Sequence, residues 1–216
     1  MNARPRLLVD IVADPVCPWC YVGLNAFAKA KAELAAAYDV LPRFRAYQLN
    51  PDLPEEGVDR AAHYARKFPD PDFLAAMRER LKQAAREAGF EFDPAKPQWL
   101  PNTLKAHLVL HWAHFEGAQE RAAFAIYRAF WEDGADIGDI DTLAALAGEA
   151  GMDGADVRKR LEKGESLEAV FREARAMQAA GVTGVPTFIV NERLGFSGAL
   201  APGPLAEALA QAASGA

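Results

Sequence analysis

The sequence has no cluster of basic residues, no long apolar run and no second pair of cysteines, and each absence removes a class of function. With 24 Lys and Arg against 30 Asp and Glu, the formal charge is −6. No basic stretch is present to neutralise phosphates, so nucleic acid is excluded as a partner. No window approaches the roughly 18 uninterrupted apolar residues of a spanning helix, so no membrane partner is expected. Arg4 and Arg6 do precede an apolar stretch. That stretch is short, holds Asp10 and runs into a cysteine motif without a cleavage-type ending, so it is not read as a signal peptide. Two cysteines in 216 residues are too few for a disulfide-stapled scaffold or a four-thiolate zinc site. The expected setting is the cytoplasm, where a lone cysteine pair serves chemistry more often than structure.

What is present is a core-forming composition and one reactive motif. At 51% hydrophobic and 10% aromatic residues, the chain can build one large domain, or one domain with a sizeable insertion. Both cysteines fall in Cys17-Pro18-Trp19-Cys20. Two thiols three positions apart at a helix start can alternate between dithiol and disulfide, with the first sulfur exposed and the second buried behind it. The helix N-terminus stabilises a thiolate there. Structural zinc would need two further ligands from far away, and c-type haem needs His after the second cysteine, where Tyr21 stands. Two inert core cysteines are the remaining alternative.

The surrounding pattern places the motif. Leu7 to Val12 is short, apolar and β-branched apart from Asp10, and reads as a buried central strand that Asp14-Pro15 ends. Tyr21 to Leu34 reads as a helix, with Pro18 tolerated in its first turn. Val40 to Leu49 reads as a second strand, closed by the turn chemistry of Asn50-Pro51-Asp52-Leu53-Pro54. Helical patterns follow over 59–68, 72–88, 102–116, 119–131, 139–150, 155–163 and 166–180, with breaks at Gly and Pro. Val185 to Val190 and Leu194 to Ser197 form an expected hairpin around Asn191-Glu192-Arg193, and a last helix follows Pro202-Gly203-Pro204. The chain thus reads β-α-β, a helical block, then β-β-α.

That order, with Asp14-Pro15-Val16-Cys17-Pro18-Trp19-Cys20-Tyr21-Val22-Gly23, Asn102-Thr103, Ala106-His107, Gly181 to Phe188 and Ser197-Gly198-Ala199, resembles DsbA-like proteins and looks closest to their FrnE-like subgroup, described as dithiol-disulfide isomerases of polyketide biosynthesis. The resemblance implies an α/β thioredoxin fold with a large all-helical insertion: thioredoxin halves at 1–55 and 181–216, and the insertion at 56–180. It implies a thiol-disulfide oxidoreductase or isomerase with Cys17 attacking and Cys20 resolving. It also implies a cis bond before Pro186, with Pro18, Trp19, Val185 and Pro186 forming the substrate contact. The substrate would be a disulfide-containing protein or a small-molecule thiol. No cofactor is implied, though glutathione is a candidate co-substrate, and a homodimer is compatible with the sequence. Trp19 stands where strongly oxidising members carry His. The Cys17 thiol is therefore expected to lie above the extreme of about 3.5 known for such enzymes, with a lower potential.

Two other functions stay open. Kappa-type glutathione transferases and 2-hydroxychromene-2-carboxylate isomerases look like the same architecture, but carry Ser where this chain has Cys17. A redox-switched binding protein, using the helical block as a partner surface, is the other.

Three further positions are candidates for lining the site. Asp10, inside the first strand, could shuttle protons if it lies near the thiols. Asn50, with Gln48, could face a ligand. His107 shares a helical face with His111 and His114, but without an accompanying carboxylate or cysteine at chelating spacing no metal is expected.

Overall fold

The computed structural model describes residues 4–215; residues 1–3 and 216, in the first and third expected segments, lie outside the described residues. A four-stranded sheet in the order β2-β1-β5-β6 sits at the centre. Strand β1 (Arg6–Ala13) is interior because Leu7, Val9, Ile11 and Val12 are all buried, which suits a strand covered on both faces. The chain crosses through helix α1 (Pro18–Leu34) and returns as β2 (Asp39–Ala46), parallel to β1 with Asp10 opposite Arg43. Strand β5 (Thr187–Val190) lies antiparallel on the other side of β1, and β6 (Leu194–Ser197) pairs antiparallel with β5. Helix α9 (Pro202–Ser214) buries Leu205 and Leu209 and packs with α1.

Between the halves of this sheet lie α2 (Arg60–Lys67), α3 (Pro71–Glu87), α4 (Leu104–Phe115), α5 (Gln119–Arg128), α6 (Ile140–Glu149), α7 (Gly154–Glu162) and α8 (Leu167–Ala179). Aspartates start four of them: Asp59, Asp70, Asp139 and Asp153 each accept a hydrogen bond from a first-turn backbone N–H, satisfying donors the helix leaves unpaired. Among the described residues no helix is long and apolar enough to cross a membrane.

Helices α4, α5 and α8 pack against β2 and close that edge of the sheet chemically. The Gln119 carboxamide accepts from Phe44 N–H at 2.9 Å and donates to the Phe44 carbonyl at 3.0 Å, as a neighbouring strand would. Glu173 accepts from Ala46 N–H at 3.2 Å. An edge whose backbone groups are already taken cannot template another chain.

Three sequence expectations shift. The second strand stops at Ala46 instead of Leu49, because β1 ends at Ala13 and offers no partner beyond the Ala13–Ala46 pair. The third core strand starts at Thr187, leaving Val185-Pro186 outside the ladder with a cis bond between them. The expected helix 119–131 is α5 followed by a π-helical stretch, Ala129–Asp133, which Gly134 ends at φ 73°. A π turn alters the direction of the side chains it carries, and here Trp131 is fully buried and reaches the cysteine loop. A two-stranded pair, β3 (Val58–Asp59) with β4 (Trp99–Leu100), is too short to show any period in the sequence.

Candidate active site

The cysteines stand where β1 hands over to α1. Cys17 is the N-cap of α1, and its carbonyl accepts from Cys20 N–H at 3.1 Å and Tyr21 N–H at 3.2 Å. Pro18 occupies the first helical turn, where its missing N–H costs no hydrogen bond. No acidic residue occupies that first turn, so nothing there opposes a thiolate at the positive end of the helix dipole. Both cysteines are free thiols.

Facing them is the segment before β5. The Cys17 thiol donates to the Val185 carbonyl at 3.7 Å. Pro186 is held against α1 by the absence of a side chain on Gly23, since a Cβ there would stand 3.0 Å from the Pro186 ring. Residues 168 positions apart thus meet at the Cys17 sulfur. Trp19 is half-buried and packs on the core, and Pro18 is also half-buried.

The expectation of an exposed first sulfur does not hold: Cys17 is 4% exposed and Cys20 2%. The thioredoxin half alone would leave the start of α1 at an open end of the sheet, but the helical block closes over it. Tyr64 on α2 and Tyr127 on α5 both feel the charge of Cys17. Trp131 Nε1–H donates to the Pro15 carbonyl at 3.0 Å and pins the loop from behind.

Asp10 is also placed differently from the expectation. Its carboxylate is gripped by the Arg43 guanidinium, with Nη2 to Oδ2 at 2.8 Å, and Arg43 also binds Glu192 at 2.8 Å. Glu192 lies in the β5–β6 turn, and the register sets Val190 opposite Val9, so this ion pair leans towards the start of β1, whereas the cysteines follow its end. Asp10 is engaged in holding strands together.

The carboxylate beside the thiols is Asp14, which is fully buried. Its carbonyl accepts from Cys17 N–H at 2.9 Å. Its carboxylate accepts from Leu49 N–H at 2.7 Å and Val16 N–H at 3.4 Å, and from the Thr103 side chain. Burial pushes the Asp14 carboxyl up to about 6 against the pull of these donors. Burial first, then Cys17 and the Asp14 charge, push the Cys20 thiol well above its ordinary value, while the Asp14 backbone N–H works the other way. Tyr127, fully enclosed, is likewise pushed up, by burial and then by Cys20, Asp14 and Cys17.

His107 is buried, and its Nε2 lies 3.0 Å from the Tyr47 carbonyl and 4.0 Å from Asp14 Oδ1. A carbonyl only accepts, so Nε2 carries the proton. Burial lowers the His107 pKa to about 4, so the ring is neutral. His111 and His114 leave this region and stand edge-on to Phe115. Asn50 is half-buried in the turn after β2, its carbonyl accepting from Leu53 N–H at 3.3 Å. Buried Gln48 donates to Asn102 at 3.0 Å, and Asn102 accepts from Leu104 N–H at 3.0 Å, helping to cap α4, whose N-cap is Thr103.

The sequence matches the DSBA-like thioredoxin domain over residues 8–210. The chain belongs to that family. Its DSBA-like domain is 29% identical over 186 residues to the uncharacterized protein YwbO of Bacillus subtilis (strain 168), covering 85% of this chain and 86% of that one. In structure it superposes on a probable DsbA oxidoreductase, SCO1869 from Streptomyces coelicolor, with a TM-score of 0.86 at 29% identity, over 96% of this chain and 90% of that one. The cytosolic disulfide reductase DsbM from Pseudomonas aeruginosa shares the fold, with a TM-score of 0.66 at 20% identity, over 97% and 100% of the two chains. Cys17 and Cys20 are therefore a CXXC pair in a DSBA-like family of thiol-disulfide oxidoreductases.

Sequence reasoning missed Asp14, Tyr64 and Tyr127 as neighbours of the dithiol. Asp14 had a signal, an acid directly before Pro15 inside the cysteine motif. The two tyrosines had none, because only the packing of α2 and α5 brings them there.

Proposed function

We propose that Cys17 is the attacking thiol and Cys20 the resolving thiol of a thiol-disulfide oxidoreductase or isomerase that works through a mixed disulfide on Cys17. The observation that carries this reading is the Cys17 thiol seated on the Val185 carbonyl at 3.7 Å. A disulfide entering there meets the thiol at the helix N-terminus and, beside it, backbone groups of Val185 able to pair with an extended segment. Cys20 is the poorer first nucleophile, because burial and its neighbours hold it protonated. Once Cys17 is joined to substrate, Cys20, one helical turn along, attacks Cys17 Sγ and releases the substrate thiol.

The substrate class is a protein disulfide or a small-molecule disulfide, with glutathione as a candidate co-substrate. The FrnE-like assignment and a cytosolic setting belong to the same reading; the setting is supported by a fold relative described as cytosolic. The presence of both thiols weighs against the serine-based glutathione enzymes of similar architecture.

Cys17→Ser is expected to abolish insulin reduction, whereas Cys20→Ser is expected to accumulate mixed disulfides visible as mass adducts. Full activity in Cys17→Ser would sink the assignment.

A further inference from the structure

Resting on the oxidoreductase reading above, we infer that Ser197 and Thr187 are positioning residues that hold Val185 ready to pair with the backbone of a substrate, so that the site takes disulfides carried on an extended polypeptide in preference to small ones. The Ser197-Gly198 pair stands out in the sequence and has no part in the thiol chemistry. In the fold Ser197 ends β6 directly opposite Thr187, the first residue of β5.

The contacts run in one direction. Thr187 is 5% exposed and donates its hydroxyl proton to the Gly184 carbonyl at 2.7 Å. A threonine hydroxyl has a single proton, so in the 2.6 Å contact between Thr187 Oγ1 and Ser197 Oγ the serine donates and the threonine accepts. Beside it, Gly198 N–H donates to the Pro186 carbonyl at 2.8 Å, from a backbone at φ 106° where a side chain would be strained. Ser197 and Gly198 thus fasten Gly184 and Pro186, the two neighbours of Val185.

Among the described residues, the Val185 backbone has one hydrogen bond, from the Cys17 thiol to its carbonyl at 3.7 Å. Its N–H is open to a substrate strand, and its carbonyl is released to the substrate once Cys17 has given up its proton. An extended peptide can use both groups as an added strand. A small disulfide without peptide bonds cannot.

The relay matters because the segment before it has little to restrain it. Gly184 carries no side chain, and Gly181 lies three residues back at φ 89°. Without the two hydroxyls, each incoming peptide would have to order this stretch itself. Ordering it in advance lowers the cost of binding and leaves the thiol exchange untouched. The effect therefore belongs to peptide affinity.

The test compares two disulfides with the same leaving group: dithiobis(nitrobenzoate), and a short extended peptide whose single cysteine is joined to thionitrobenzoate. In both, the Cys17 thiolate forms an S–S bond to the substrate, the bond to thionitrobenzoate breaks, and the electron pair of that bond leaves with the coloured thiolate. Its first release from the reduced full-length protein is followed against substrate concentration. In Ser197→Ala and Thr187→Val the half-saturating peptide concentration is expected to rise by about 3- to 10-fold, with the limiting rate within about 2-fold of the unmodified protein. The preference for the peptide over dithiobis(nitrobenzoate) is expected to fall by the same factor. Thr187→Ser keeps the hydroxyl and is expected to retain the unmodified affinity.

Equal losses on the two substrates, an unmoved half-saturating concentration, or a Thr187→Ser that behaves as Thr187→Val overturns the inference. If Thr187→Val does not fold, Ser197→Ala, at an exposed position, decides alone. Cys17→Ser must lose the fast release of thionitrobenzoate from both substrates. Its failure to do so would strike the oxidoreductase reading itself, whatever Ser197 and Thr187 do.

Discussion

At Asp14 the fold keeps a carboxylate that burial opposes, and the consequence is measurable in stability. Its carboxyl stands at about 6 in the folded protein against 3.8 when unperturbed. Between those values the folded state binds a proton that the unfolded state does not. The contribution is therefore fully present below about 3.8 and is lost as pH rises through about 6, a swing of about 3 kcal/mol. His107 has the opposite sign. Its pKa falls from 6.5 to about 4, so its contribution is present above 6.5 and is lost as pH falls towards 4. In the unmodified protein the two slopes offset each other between about pH 4 and 6. Asp14→Asn removes one of them. Its stability relative to the unmodified protein, from urea titrations at several pH values, should rise by about 3 kcal/mol between about pH 4 and 6. A flat difference would show that the carboxylate is not desolvated.

At the scale of elements, the decisive contact is between α1 and the start of β5. The strand-loop-helix order around the cysteines was legible because Leu7 to Val12, Asp14-Pro15 and Pro18 are local signals, and the structure places the strand within one residue and the helix within three of those expectations. The approach of α1 to Pro186 was not legible. Gly23 lies in an ordinary helical position, and its importance comes only from the Pro186 ring and Phe188 standing over it. Gly23→Val is expected to lower stability by about 1 to 3 kcal/mol and to slow the reaction of Cys17 with a disulfide, because a proline ring cannot swing aside as a flexible side chain can. Gly148 in α6 supplies the contrast. Nothing lies within 4 Å of a Cβ built there, so Gly148→Ala should leave the chemistry intact and raise stability by up to about 1 kcal/mol, readable as a higher Tm.

At the scale of the whole molecule, the helical block acts as the back wall of the site. Trp131, in the π-helical stretch, is buried completely and tethers the Pro15 carbonyl, and the buried Arg60 guanidinium lies 5.4 Å from its ring and 4.5 Å from that of Tyr64. Trp131→Phe removes that tether and leaves a buried carbonyl short of its donor. A loss of about 1 to 3 kcal/mol is expected, together with faster alkylation of Cys17 by iodoacetamide as the loop loosens. Unchanged alkylation would show that the wall does not restrain the loop.

The sequence alone determined which two thiols can react, the order of strands and helices around them, and the family resemblance, because spacing, periodicity and turn chemistry are carried by neighbouring residues. Asp10 looked like the proton-handling acid on the same local grounds, a lone charge in an apolar strand. Only the tertiary structure decided that Arg43 neutralises Asp10, that Asp14 lies buried beside Cys20, and that both sulfurs are enclosed. Burial and charge at a site are set by the side chains that packing brings to it, and here those come from β2, α2, α4 and α5, far from the cysteines along the chain.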